Sequence, residues 1–131
     1  MLVPLDFIES RAWPAVLDER KLLRSDPAVY ALLHERDVDR MQGRSRILYF
    51  GSTGQLGGDS DSCRLRIYRY PNGFHAREIR RKVEMILDAG EPVTFHWKHM
   101  ESEDAAAIEE KRLLRSYMEE HHELPPFNAH I

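Results

Sequence analysis

The 131-residue chain predicts a compact α/β (α+β) domain, a small, mainly antiparallel sheet of three strands flanked by helices. Three observations carry that expectation. Two apolar runs, "AVYALLH" (Ala28–His34) and "RILYFG" (Arg46–Gly51), are separated by a polar stretch. Neighbouring strands so joined most simply pair antiparallel. A third run, "VTFHWKH" (Val93–His99), alternates with Val93, Phe95 and Trp97 on one side, as a strand with one buried face does. Two long segments with helical periodicity complete the set.

Taken in order, residues 1–26 are expected to form a helical extension and 27–131 the main domain. A short helix begins near Pro14, where the missing N–H costs nothing, and Asp26-Pro27 ends it. Ala28–His34 reads as a buried strand, Glu35–Ser45 as a polar loop and Arg46–Gly51 as the second strand. "GSTGQLGGDSDS" (Gly51–Ser62) is rich in glycine and acid, which predicts a mobile surface loop. Cys63–Tyr70 is a short helix stopped by Pro71-Asn72-Gly73. "HAREIRRKVEMILDAG" (His75–Gly90) places Ile79, Val83, Ile86 and Leu87 on one face, with Gly90 as the C-terminal stop. After Val93–His99, Ser102 caps a long helix running to about His122, and "LPPFNAHI" follows.

Composition limits the function. At 42% hydrophobic and 31% charged the chain reads as a soluble globular domain. It has no apolar run of about 18 residues and no basic-then-apolar start, so neither a membrane span nor a secretory signal is expected. Cys63 is the single cysteine, which excludes an internal disulfide and a cysteine-built zinc site and makes a reducing cytoplasm the default compartment. The net charge is −3, yet Arg64–Lys82 holds seven Lys/Arg and one acid, Glu78. A local stripe of that kind can follow phosphates even when the total is negative.

Two patterns compete for the chemistry. Gly51, Gly54 and Gly57 are spaced like the turn of a dinucleotide-binding unit, but that unit needs a full helix directly after the turn and a parallel βαβ order. Here the glycines run into Asp59-Ser60-Asp61, whose charges repel a pyrophosphate, and no βαβ order follows. The long C-terminal helix is more informative. Ala106, Glu110, Leu113, Leu114 and Tyr117 fall on one face at 100° per residue, whereas Glu109 does not. A carboxylate facing a core needs a partner, a proton or a metal. A salt bridge to a nearby arginine is the plain alternative to an active-site ligand.

The remaining motifs tip the balance. "AVY" (Ala28–Tyr30) and "LYFGST" (Leu48–Thr53) resemble the two motifs that name the GIY-YIG nuclease family, with Ala28 in place of the first glycine and Phe50 in place of the second isoleucine. "RIYRY" (Arg66–Tyr70) is similar to the family's arginine followed four residues on by Tyr or His, and His75 stands where some branches carry a histidine. "AAIEEKRLL" (Ala106–Leu114) resembles the segment bearing the catalytic glutamate and selects Glu110; "PPFN" (Pro125–Asn128) resembles the closing P-x-x-N. The resemblance covers roughly residues 27 to 130. Arg66 lies 17 residues after Tyr49, further than is usual in the family, so "GQLGGDSD" is an inserted loop.

The resemblance implies phosphodiester hydrolysis in DNA, in preference to RNA, by a divalent-metal-dependent endonuclease. Glu110 would hold one Mg2+ or Mn2+, for which hard oxygen ligands suit. Arg66 would meet the non-bridging oxygens with its planar fork. Tyr49, Tyr30 or His75 would take the proton of the attacking water, and Asn128 would orient the glutamate or a water. Gly51 would let the backbone pass close beneath a phosphate. Arg64, Arg69, Tyr70, Arg77 and Arg81 would contact the nucleic acid along the basic run. His96 and His99, three apart on a strand, point to opposite faces, and His121-His122 suit the exposed end of their helix. With about 26 residues outside the core, specificity is low, structural, or supplied by a protein partner. The alternative is a family member that has lost cleavage and acts as a nucleic-acid-binding or regulatory subunit.

Arg66→Lys is expected to be nearly as damaging as Arg66→Ala, because a point charge does not reproduce the fork. Single-turnover cleavage should fall roughly a hundredfold or more; unchanged turnover in the lysine variant moves the role to Arg64 or Arg69.

Overall fold

The computed structural model describes residues 6–13, 24–56 and 74–128, except for the side chains of 74–78 and 80. The elements in chain order are β1 (Glu9–Trp13), β2 (Ala28–Asp39), β3 (Arg44–Thr53), α1 (Phe74–Asp88), β4 (Val93–His99) and α2 (Glu103–His121). The sheet has four strands in the order β1-β4-β2-β3, and every neighbouring pair is antiparallel. The α+β class and the antiparallel hairpin therefore stand, with a correction from three strands to four. The added strand, Glu-Ser-Arg-Ala-Trp, is exposed at all but Trp13, so it carries no apolar alternation to read.

Each strand of the pair β2–β3 also runs further than its apolar run. Glu35–Asp39 and Arg44–Ser45, read as loop, are strand, and the turn is confined to residues 40–43. There Arg40 N donates to Gly43 O at 2.9 Å and Gly43 adopts φ +72°, which favours a residue without Cβ. The hairpin arm projects past the core, so its polar residues meet solvent while still pairing. The expected helix near Pro14 lies outside the described residues, as do loop residues 57–62 and the predicted helix Cys63–Tyr70. The loop's first part is not a free surface segment: Ser52 and Thr53 belong to β3, and Leu56 is fully buried.

The sheet buries both faces. On one, Tyr30, Leu32, Leu48, Phe95 and Trp97 pack with Ile79 and Val83 of α1. On the other, Val29, Ala31, Leu33, Ile47 and Phe50 pack with Leu113, Leu114 and Tyr117 of α2. The hairpin register shifts twice, the first time where Leu32 faces Tyr49 and Leu33 faces Ile47, a bulge that leaves Leu48 without an opposite number. This bulge lets consecutive residues, Leu48 and Tyr49, both lie against the α1-side cluster. Both helix ends behave as predicted. Ser102 accepts from Ala105 N, and α1 closes with Glu91 N bonded to Ile86 O and Gly90 N to Leu87 O at φ +81°, a Schellman pair.

Gly51 lies opposite Tyr30 in the β2–β3 register. A Cβ at Gly51 would stand 2.5 Å from Tyr30 Cζ, 2.6 Å from its hydroxyl and 2.8 Å from Cε2. The side chain is excluded by the tyrosine, and the φ of Gly51 is not in the left-handed region. Gly51→Ala is expected to cost about 1–3 kcal/mol through overpacking, and as much in a Tyr30→Phe background, because the ring carbons remain. Tyr30→Leu should relieve it. Equilibrium denaturation of the single and double variants measures this; an unchanged midpoint for Gly51→Ala would overturn it.

Candidate active site along strand β3

Four consecutive residues of β3, Tyr49 to Ser52, connect the described candidates. Strand alternation puts Tyr30, Tyr49 and Gly51 on the α1 side of the sheet and Ser52 on the α2 side. Tyr30 is 1% exposed, its ring 6.2 Å from that of the half-buried Tyr49 and 5.1 Å from Phe95. From the other face, Glu110 of α2 accepts a hydrogen bond from Ser52 Oγ at 3.1 Å. The Tyr30 phenol and the Glu110 carboxylate thus meet successive residues of one edge strand, from opposite sides.

Asn128 holds the residue between the tyrosine and the glycine. Its Oδ1 accepts from Phe50 N and its Nδ2 donates to Phe50 O, both at 3.0 Å. One residue earlier, Phe127 N donates to Leu48 O at 2.9 Å. Together the C-terminal segment and the asparagine side chain supply the pairing that an edge strand lacks. The amide is thereby engaged with backbone. Sequence assigned Asn128 to orienting the glutamate or a water; in the structure its amide holds the backbone of the strand.

Glu110 sits where helical phase placed it, half-buried between buried Ala106, Leu113, Leu114 and Tyr117, while Ile108 is 69% exposed. Its neighbour carries a salt bridge of its own. Glu109, with a side chain 12% exposed, pairs with Lys98 of β4 and with Arg112, and Lys98 also reaches Asp6 and lies over the Phe7 ring. Helical phase alone leaves Glu109 off the apolar stripe; the strand lysine beneath draws it in. The hydrogen bond from Arg112, followed by that from Lys98, holds the Glu109 carboxyl at about 2, against the opposing effect of burial.

The other predicted residues separate clearly. Arg64, Arg66, Arg69 and Tyr70 lie outside the described residues, as do the side chains of His75 and Arg77. Arg81 is exposed on α1. His96 pairs with Ala31 and His99 with Ala28, residues of opposite faces. His96 meets Thr94 Oγ1 at 3.0 Å, its pKa lowered by burial and then by Arg46. His121 is a correction: it is 2% exposed rather than solvated, its ring tilted against that of Tyr117 with centroids 4.4 Å apart, and its Nδ1 donates to Gln42 O at 2.8 Å. It ties the hairpin turn to the end of α2, while His122 takes the left-handed cap at φ 61°. Ser52 was not singled out, although it stands directly after Gly51 in "YFGST".

Among the described residues no group of three or more His, Cys, Asp or Glu comes together, and no helix is long and apolar enough to cross a membrane. No protein-family profile, curated protein or solved structure matches the chain.

The Glu109 pairing has a definite pH dependence. Because its folded pKa is depressed from 4.5 to about 2, its contribution is complete above 4.5 and is lost as pH falls through that window. Thermal unfolding followed from neutral pH down to about 2 should show a steeper loss for the natural chain than for Glu109→Gln. Parallel curves would overturn the assignment.

Proposed function

We propose that the chain is a metal-dependent endonuclease that hydrolyses phosphodiester bonds in DNA, with β3 as the spine of its site. The observation that carries the reading is the arrival of a phenol at Gly51 and a carboxylate at Ser52, on adjacent residues of an edge strand. The order of the motifs in the sequence, with "AVY" on β2, "LYFGST" on β3 and "AAIEEKRLL" on α2, supports it further.

Oxygen donors suit magnesium or manganese: Glu110 provides a half-exposed carboxylate and Ser52 a hydroxyl beside it. With no larger acidic or histidine cluster among the described residues, Glu110 would be the carboxylate that holds the ion, the other positions falling to water and substrate. The chemistry such an ion supplies is polarisation of the phosphate and stabilisation of the leaving 3′ oxygen. The protein's own residues do the rest. A water oxygen bonds to phosphorus, the bond from phosphorus to the 3′ oxygen breaks, and the water's proton passes to a base. Tyr49 is the tyrosine better placed for substrate, since Tyr30 is sealed in the core; His75 is the other base the resemblance offers. A phenol with pKa near 10 needs a neighbouring cation to work near neutrality, the task assigned to Arg66.

Supercoiled plasmid incubated with the purified chain and magnesium should be nicked or linearised, and chelator should stop the reaction. Glu110→Ala should abolish cleavage with the fold retained, because the variant removes a charge from an apolar stripe. Glu109→Ala should weaken the fold and leave cleavage measurable. The opposite assignment of the two losses would overturn the site. DNA binding without cleavage in the natural chain would favour a binding or regulatory subunit instead.

A further inference from the structure

Resting on that nuclease reading, we infer that Lys82 is a substrate-phosphate contact of the site, held for the purpose over the ring of Phe127. In sequence it is one of seven cations in the run Arg64–Lys82 with nothing to distinguish it. The fold separates it from its neighbour. Ile79 and Val83 point α1 into the core. Arg81, 200° round the helix from Ile79 at 100° per residue, is exposed, whereas Lys82 flanks the buried stripe and is half-buried. Its Nζ lies 5.5 Å from the centroid of the Phe127 ring.

Phe127 is fixed in turn. Its N–H is bonded to Leu48 O, the next residue, Asn128, clamps Phe50, and its ring packs on the same core cluster as Tyr49. The ammonium is therefore carried on an aromatic ring anchored to the two β3 residues that bracket Tyr49. Among the described residues Lys82 has this ring contact and no carboxylate partner.

That difference in partner decides what the lysine can do. An ion-paired ammonium has to surrender its carboxylate to take a phosphate. One held over an aromatic face is restrained by only about 0.5–1 kcal/mol. It keeps its full charge and its N–H donors for an oxygen ligand. The ring limits where the flexible side chain goes without neutralising it, so the charge is positioned over a residue tied to the backbone of β3 before substrate arrives. A phosphate one step along the strand from the scissile one is the ligand such a group fits.

The test is salt-dependent binding of labelled duplex DNA to Glu110→Ala protein, compared with the same protein carrying Lys82→Met or Lys82→Arg. Loss of one phosphate contact should flatten the logarithmic salt slope by about 0.9 and weaken binding about fivefold near 0.15 M salt. Lys82→Arg should restore both, which a merely structural role would not require. In the cleavage-competent chain, Lys82→Met should raise KM with little change in kcat. A steep slope in the parent that Lys82→Met leaves unchanged overturns this inference and spares the nuclease. A parent slope near zero, with plasmid left intact by the natural chain, removes the nuclease reading itself.

Discussion

The ring of Tyr30 and the backbone of Gly51 touch so closely that a methyl group has no room between them. The contact lies on the register line running from Trp97 through Tyr30 to Gly51, across three strands. Placing the largest ring of β2 over a glycine lets the sheet bury a phenol without bending away from it. Its neighbours follow. Phe95 stacks beside the ring, Tyr49 is set along it, and the hairpin bulge turns Leu48 to the same side. Displacing Tyr30 would disturb the core of one face and the candidate site together, because the same side chain serves both.

The adjacent acids of α2 show how one helix separates two electrostatic tasks. Glu109 is tied to Lys98 and Arg112, which repays the cost of withdrawing a charge from water. Glu110, one residue on and 100° round, accepts from a serine hydroxyl on the edge strand. Neighbouring carboxylates of one helix thus reach two different strands, β4 and β3.

Much of this arrangement was legible in the sequence where periodicity and punctuation agree. Ile79 and Val83 mark the inward face of α1, Gly90 its stop, Ser102 the start of α2, and Val93, Phe95 and Trp97 the buried side of β4. Glu110 was found by phase as well as by motif. What escaped depended on distant partners. Glu9–Trp13 becomes a strand because β4 offers it an edge, and Glu109 becomes buried because Lys98 lies beneath it. His121 enters the interior because the backbone carbonyl of Gln42, 79 residues away, accepts its hydrogen bond. Local propensity carries no record of such contacts. The contact of Asn128 with Phe50 was illegible for the same reason, since the two are 78 positions apart.

The strand order also governs when the sheet can be completed. β2 and β3 are neighbours in the chain and can pair as soon as both exist, but each side of that hairpin waits for a later segment. On one side β1 has no partner until β4 is made, the pairing of Glu9 with Trp97 closing a separation of 88 residues. On the other, Leu48 and Phe50 acquire their edge bonds only from Phe127 and Asn128. Such non-local closures slow folding. During synthesis the growing chain therefore carries a hairpin with unpaired edges, the condition under which strands recruit other chains.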